Sequence, residues 1–222
     1  MINIENLAYG NLDKTNLKFM NKASFFSDYI DIFNNINIPP IKETEKEIEY
    51  LIRTQKEYMG KPNWEEYKKF ITGCDENIKG VLYNSLNRMG VRFTKENSNE
   101  LEKIQELLGS LIMSLKSHYN RARPFQVAYY TKQNLHPLYT ASGNSPSYPS
   151  GHAAQSRFLL KIVAFNFPEF KNEIKKLADE IAFTRIVMGV HYPSDNQFGF
   201  EIADRLAAIP KLKDLYFSHK IF

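Results

Sequence analysis

The stretch Asn97–Asn120, NSNELEKIQELLGSLIMSLKSHYN, decides the fold class. Leu101, Ile104, Leu107, Leu108, Leu111, Ile112 and Leu115 recur at steps of three and four residues, the period of one helix face. The pattern opens at Asn97-Ser98 and runs to about His118 or Asn120. It predicts a long helix whose apolar stripe must be buried against other elements. Downstream, Gly151–Phe167 reads as a helix ended by Pro168, and Glu169–Val187 as another that stops near Gly189 and Pro193. Ser194 or Asp195 then caps a last helix through Leu206. Upstream, helices are expected from Lys22 to about Asn34, over Glu43–Tyr58, from the Asn63 cap, and over Gly80–Met89 up to Gly90. Ile48, Leu51, Ile52 and Tyr58 are the expected inner face of the second of these. The first twenty or so residues read as an arm or loop, and Phe125–Pro149 as a polar, aromatic loop bearing prolines. Strand signals are nearly absent, so an all-α bundle is expected.

The chain has 222 residues, enough for one sizeable core, and its 43% hydrophobic and 14% aromatic content argues against disorder. The net charge of +4 weakly favours anionic ligands but is too small to indicate nucleic acid, and no Lys/Arg block or zinc-knuckle spacing is present. The single cysteine, Cys74, can form neither an intrachain disulfide nor a thiolate metal site and reads as a small buried residue. The N-terminus shows no basic region followed by an apolar run. The apolar stretches around Leu107–Leu115 and Phe158–Phe167 are too short or too charged to span a bilayer. These readings lead to the expectation of a cytoplasmic protein with no transmembrane segment.

Three short words carry the chemistry. In the first, Lys116 and Arg123 lie seven residues apart, two helical turns, so both can point one way, and Pro124 places Arg123 at a helix-to-loop corner. Arg offers a planar fork for phosphate oxygens and Lys a point charge. Alone, such a pair reads as solvated surface. The second word is Ser147-Tyr148-Pro149-Ser150-Gly151-His152. Ser150 caps the following helix, Gly151 permits close backbone approach, and the helix start is a ready anion site with His152 at its rim. Alone, it reads equally well as an ordinary capped helix. The third word runs from Thr184-Arg185 through Gly189 to His191 and Asp195. Arg185 and His191, six residues apart, would not share a face of an unbroken helix, but Gly189 can break the helix and let both converge, and Asp195 can reach back to one ring nitrogen of His191. Alone, a core Arg–Asp pair with a structural His fits slightly better. Together, the words supply Lys, two Arg, a Ser-Gly helix start and two His from one half of the chain.

Lys-x6-Arg-Pro, then Pro-Ser-Gly-His, then Ser-Arg-x5-His-x3-Asp is the signature of the type 2 phosphatidic acid phosphatase (PAP2) superfamily, and this sequence resembles it at every position except the leading Ser, here Thr184. The wider words, Lys116 to Phe125 and Ser147 to His152, look most like the soluble bacterial class A acid phosphatases; vanadium haloperoxidases share the signature. The resemblance covers about 101–206. It implies a single domain over 1–222 of the acid phosphatase/vanadium haloperoxidase type, with 1–95 as its helical N-terminal part.

The resemblance also assigns roles. His191 would attack phosphorus, Asp195 would hold its other nitrogen, and His152 would protonate the leaving group. Lys116, Arg123, Ser150, Gly151 and Arg185 would bind phosphate. No cofactor and no metal ion is expected. Vanadate would inhibit, or would serve as cofactor in the alternative reading, a haloperoxidase using the same pocket. A lipid-phosphate phosphatase at a membrane surface is the other alternative. Asn144 and Tyr148 in the loop, with His118, are candidates for leaving-group contacts, whereas His136 and His219 read as incidental. The expected partner is a small phosphorylated substrate, and a homo-oligomer is left open.

Overall fold

The computed structural model describes residues 7–20 and 24–218. Ten α-helices follow in order: α1 Lys14–Met20, α2 Ile41–Met59, α3 Trp64–Glu76, α4 Ile78–Arg88, α5 Lys95–Tyr119, α6 Pro124–Thr131, α7 Gly151–Asn166, α8 Lys171–Val187, α9 Pro193–Ala208 and α10 Pro210–Phe217. Two 3-10 turns, Phe25–Ile32 and Pro168–Phe170, complete the elements. Among the described residues the only β-type pairing is an isolated bridge between Ala8 and Arg121. The protein is all-α.

The helix α5 starts earlier than its apolar stripe. Thr94 accepts from the Asn97 N–H at 3.2 Å and Asn97 Oδ1 accepts from the Thr94 N–H at 2.8 Å, a reciprocal cap that places Asn97 inside the first turn. At the other end Asn120, with φ +46°, terminates the helix in the left-handed conformation. Leu101, Ile104, Leu108, Leu111, Ile112 and Leu115 are buried as the periodicity requires.

Three helices were not read from the sequence, α1, α6 and α10. Pro124–Thr131 is helical, not loop, with Pro124 in the first turn and Arg123 as its cap. Beyond α9, Pro210 starts α10. The helix expected from Lys22 is a 3-10 turn capped by Ser24 in its described part, and Lys22 itself lies outside the described residues. Part of the N-terminal arm is helical, as α1.

Helix α7 lies against both α8 and α9, and α5 packs on α1, the 25–32 turn and α7. A close approach occurs at Gly199 of α9. A Cβ there would stand 2.7 Å from the Ser150 carbonyl oxygen and 2.9 Å from Ala153 Cβ, so bare backbone meets the start of α7. Helices α2 and α3 pack on α8, which brings the N-terminal half up against the helices that carry the three words. The largest apolar cluster joins side chains from Phe26 to Tyr216. No helix among the described residues is long and apolar enough to cross a membrane.

Candidate active site

The words converge on a cleft of about 370 Å³ lined by Lys116, Arg123, Gly151, His152 and His191, with Ile112, Met113, Ser142 and Ser145 beside them. Lys116 ends α5 and is buried; its Nζ donates to the Pro146 carbonyl. Arg123 donates from Nε to Ser145 O at 2.7 Å and from Nη1 to Val190 O at 2.8 Å. Burial and the neighbouring arginine pull Arg123 down to about 10, and burial with Arg123 pulls Lys116 well below the usual lysine range.

His191 becomes available because α8 stops. Gly189 turns the chain with φ +70°, and the Val190 and His191 N–H groups fold back onto Arg185 O at 3.2 and 3.3 Å. A side chain at position 189 would strike Gln55 Nε2 at 2.8 Å. The His191 ring is then held at both nitrogens. Arg123 Nη1 stands 3.0 Å from Nε2, and Asp195 Oδ2 stands 3.1 Å from Nδ1. A guanidinium only donates, so Nε2 presents its lone pair and Nδ1 carries the proton. Burial and the cations Arg123, Lys116 and Arg185 hold the imidazole well below its ordinary range, so it is neutral.

Ser150 caps α7 by accepting from the Ala153 N–H at 3.4 Å, and its own N–H donates to Asp195 O at 3.0 Å. The first-turn N–H groups of a helix lack intrahelical partners, and here two of the residues that carry them, Gly151 and His152, line the cleft. His152 Nε2 donates to the Cys74 carbonyl at 3.1 Å. Burial, then Arg185, pushes this histidine down to about 3, against the pull of Asp75 and the Cys74 carbonyl.

Arg185 is fully buried and does not line the cleft. Nη1 pairs with Asp75 Oδ1 at 2.7 Å, Nη2 donates to Thr140 and Ser142 hydroxyls at 3.1 Å, and Nε has no partner. Asp75 also accepts from Thr140, Ser142 and the Ala141 N–H, and though burial raises it, Arg185 and these donors hold it at about 2. Sequence reasoning missed Asp75. Its one local signal is an acid in the last turn of α3, where the helix dipole disfavours negative charge. The N-terminal arm was missed as well: Thr15 and Asn16 line the cleft, and Asn16 Nδ2 donates to Asn144 O at 2.7 Å.

Of the three candidates for leaving-group contacts, only Asn144 lines the cleft. Tyr148 is buried in an aromatic stack, 4.5 Å from the Phe198 ring and 5.1 Å from Tyr119, because the tight turn before α7 folds it inward. His118 lies on an exposed face of α5 and bonds Asn34 O at 3.1 Å. His136 contributes its carbonyl to Gln55, and His219 lies outside the described residues.

The helical scaffold gathers Lys, Arg, two His and a helix start around one cleft, groups whose chemistry suits an oxyanion. Residues 105–209, which contain all three words, match the PAP2 superfamily model. The chain is 27% identical over 142 residues, 63% of its length, to the non-specific acid phosphatases of Salmonella typhi and Salmonella typhimurium. It is 34% identical over 89 residues, 39% of this chain and 35% of the relative, to a lipid A 1-phosphatase of Rhizobium johnstonii. The chain spans about half the length (56%) of the two acid phosphatases.

Proposed function

We propose that this chain is a phosphatase that cleaves phosphomonoesters through a phosphohistidine on His191, without a metal ion. The observation that carries the reading is the His191 ring, with its lone pair turned to Arg123 and its proton to Asp195. In the reading, Nε2 attacks phosphorus, the N–P bond forms and the ester P–O bond breaks. The leaving alkoxide takes a proton from His152. Water then attacks the phosphoenzyme, gives its proton to His152, and phosphate leaves as the N–P bond breaks. Asp195 stabilises the imidazolium that develops.

Lys116 and Arg123 hold the equatorial oxygens with the Gly151 end of α7, and Arg185 adds charge from behind. Removing one such donor typically costs about 10²–10³-fold. His152 is neutral in the empty cleft; a phosphate dianion beside it offsets Lys116 and Arg185, so the acid is loaded together with the substrate. A small phosphomonoester suits the cleft volume, and vanadate, a tetrahedral oxyanion, should compete with it.

The test is hydrolysis of p-nitrophenyl phosphate by the wild type and by His191→Ala, with radiophosphate trapped on protein after an alkaline quench. The wild type should turn over and become labelled. The variant should lose about 10⁴-fold or more and take no label. Unchanged turnover in His191→Ala would sink the reading, as would vanadate-dependent halide oxidation without ester hydrolysis.

A further inference from the structure

Asp195 is held from two sides. Oδ2 accepts from His191 Nδ1 at 3.1 Å and the Tyr192 N–H at 2.9 Å, and Oδ1 accepts from Arg121 Nη1 at 2.6 Å. Arg121 is only 6% exposed, and its guanidinium lies 3.9 Å from the Tyr192 ring centroid. Its other amino group donates to Glu47 Oε2 and to Thr44 Oγ1, both at 3.0 Å. Glu47 also accepts from the Ser194 N–H at 2.7 Å and the Ser194 hydroxyl at 2.8 Å. A continuous chain of bonds therefore runs from His191 through Asp195 and Arg121 to Glu47, on α2 in the other half of the protein.

We propose that Arg121 and Glu47 are positioning residues for the reaction: they fix the orientation of Asp195 and set the net charge behind His191. The proposal rests on the phosphohistidine reading above. A carboxylate paired one-to-one with a buried guanidinium has part of its effect on a third group offset by the positive charge behind it. Glu47 changes this, because it occupies the far side of Arg121 and leaves the three-residue unit with one negative charge. That charge has to answer several cations. His191 faces Lys116 from α5, Arg123 before α6, His152 from α7 and Arg185 from α8, with Asp75 of α3 reaching Arg185. A stacked arginine that gives one amino group to each carboxylate holds this arrangement rigidly, which lysine would not.

The signs follow directly. Glu47→Gln removes negative charge, disfavours the imidazolium and should move the acid limb of kcat/KM, where His191 protonates, to lower pH. Arg121→Gln removes positive charge and should move it to higher pH. Each displacement should be about half a pH unit or more. The double variant Glu47→Gln/Arg121→Gln should return close to wild type. Arg121→Lys keeps the charge but loses the fork, so its limb should stay in place while kcat falls.

The experiment combines these pH profiles on p-nitrophenyl phosphate with an NMR titration of His191 in nitrogen-labelled full-length protein, folding being checked by circular dichroism. Opposite displacements that cancel in the double variant support the proposal. Singles that lose activity or stability with the limb unmoved, or moved in the same direction, overturn it and leave a clamp between α2 and α9. If Arg121→Gln does not fold, Glu47→Gln and Arg121→Lys decide: a lowered and an unmoved midpoint support it, any other pair does not. If the wild type hydrolyses nothing, the phosphatase reading fails, and the titration still judges the charge relay.

Discussion

The cations that line the cleft and those buried behind it are held by different partners. Lys116 and Arg123 are fixed by the carbonyls of Pro146, Ser145 and Val190, which orient a cation without cancelling its charge. Arg185 and Arg121 are fixed by carboxylates, Asp75 on one and Asp195 with Glu47 on the other. The first pair is left for an anion from outside; the second is tied to carboxylates and serves as framework, with the charge of Arg185 only partly offset. Uncompensated buried charge is costly, so the first pair trades stability for binding.

Substitutions should separate the two pairs. Lys116→Met should lose about 10²–10³-fold in kcat/KM while its melting temperature stays at or above wild type, because the repulsion from Arg123 disappears. Asp75→Ala should do the reverse in emphasis, costing about 3–5 kcal/mol of stability by leaving Arg185 buried and unpaired. Denaturant titration and steady-state kinetics on both variants check this; a large stability loss in Lys116→Met would break the comparison.

An effect of up to roughly 5 kcal/mol is expected from pH. The folded-state value of His152 is lowered to about 3, against about 6.5 when unfolded, so the unfolded chain binds the extra proton. The stability contribution is present above about 6.5 and is lost progressively as pH falls towards 3. Calorimetry should show a falling melting temperature over that window, with inorganic phosphate opposing the fall in wild type but not in Lys116→Met. The smallest effect belongs to the rim. Asn144→Ala should raise KM a few-fold with kcat unchanged, since Asn144 lines the cleft but touches none of the residues proposed for catalysis.

This contrast also marks what the sequence could disclose. Lys116, Arg123, Gly151, His152 and His191 sit in short ordered words, and the local geometry of caps and breaks brings them together. The α5 face was legible because leucine and isoleucine spacing encodes burial directly. Helix α6 was not, because PFQVAYYT is rich in aromatic and β-branched residues, and its one start signal, Pro124, also ends what precedes it. The counter-charges were beyond reach for another reason. Asp75 meets Arg185 across 110 positions and Glu47 meets Ser194 across 147, distances at which no periodicity or motif carries information.

Gly199 gives this chemistry its mechanical tolerance. Where α9 crosses the start of α7, backbone rests on backbone, and the helix that carries Asp195 can come no nearer to the turn that offers Ser150, Gly151 and His152. One added methyl would act as a wedge between the acid and the nucleophile's anchor. A misplacement of about 1 Å can cost on the order of 10²-fold in rate. The working gap of the site is thus gauged by a residue that has no functional group at all.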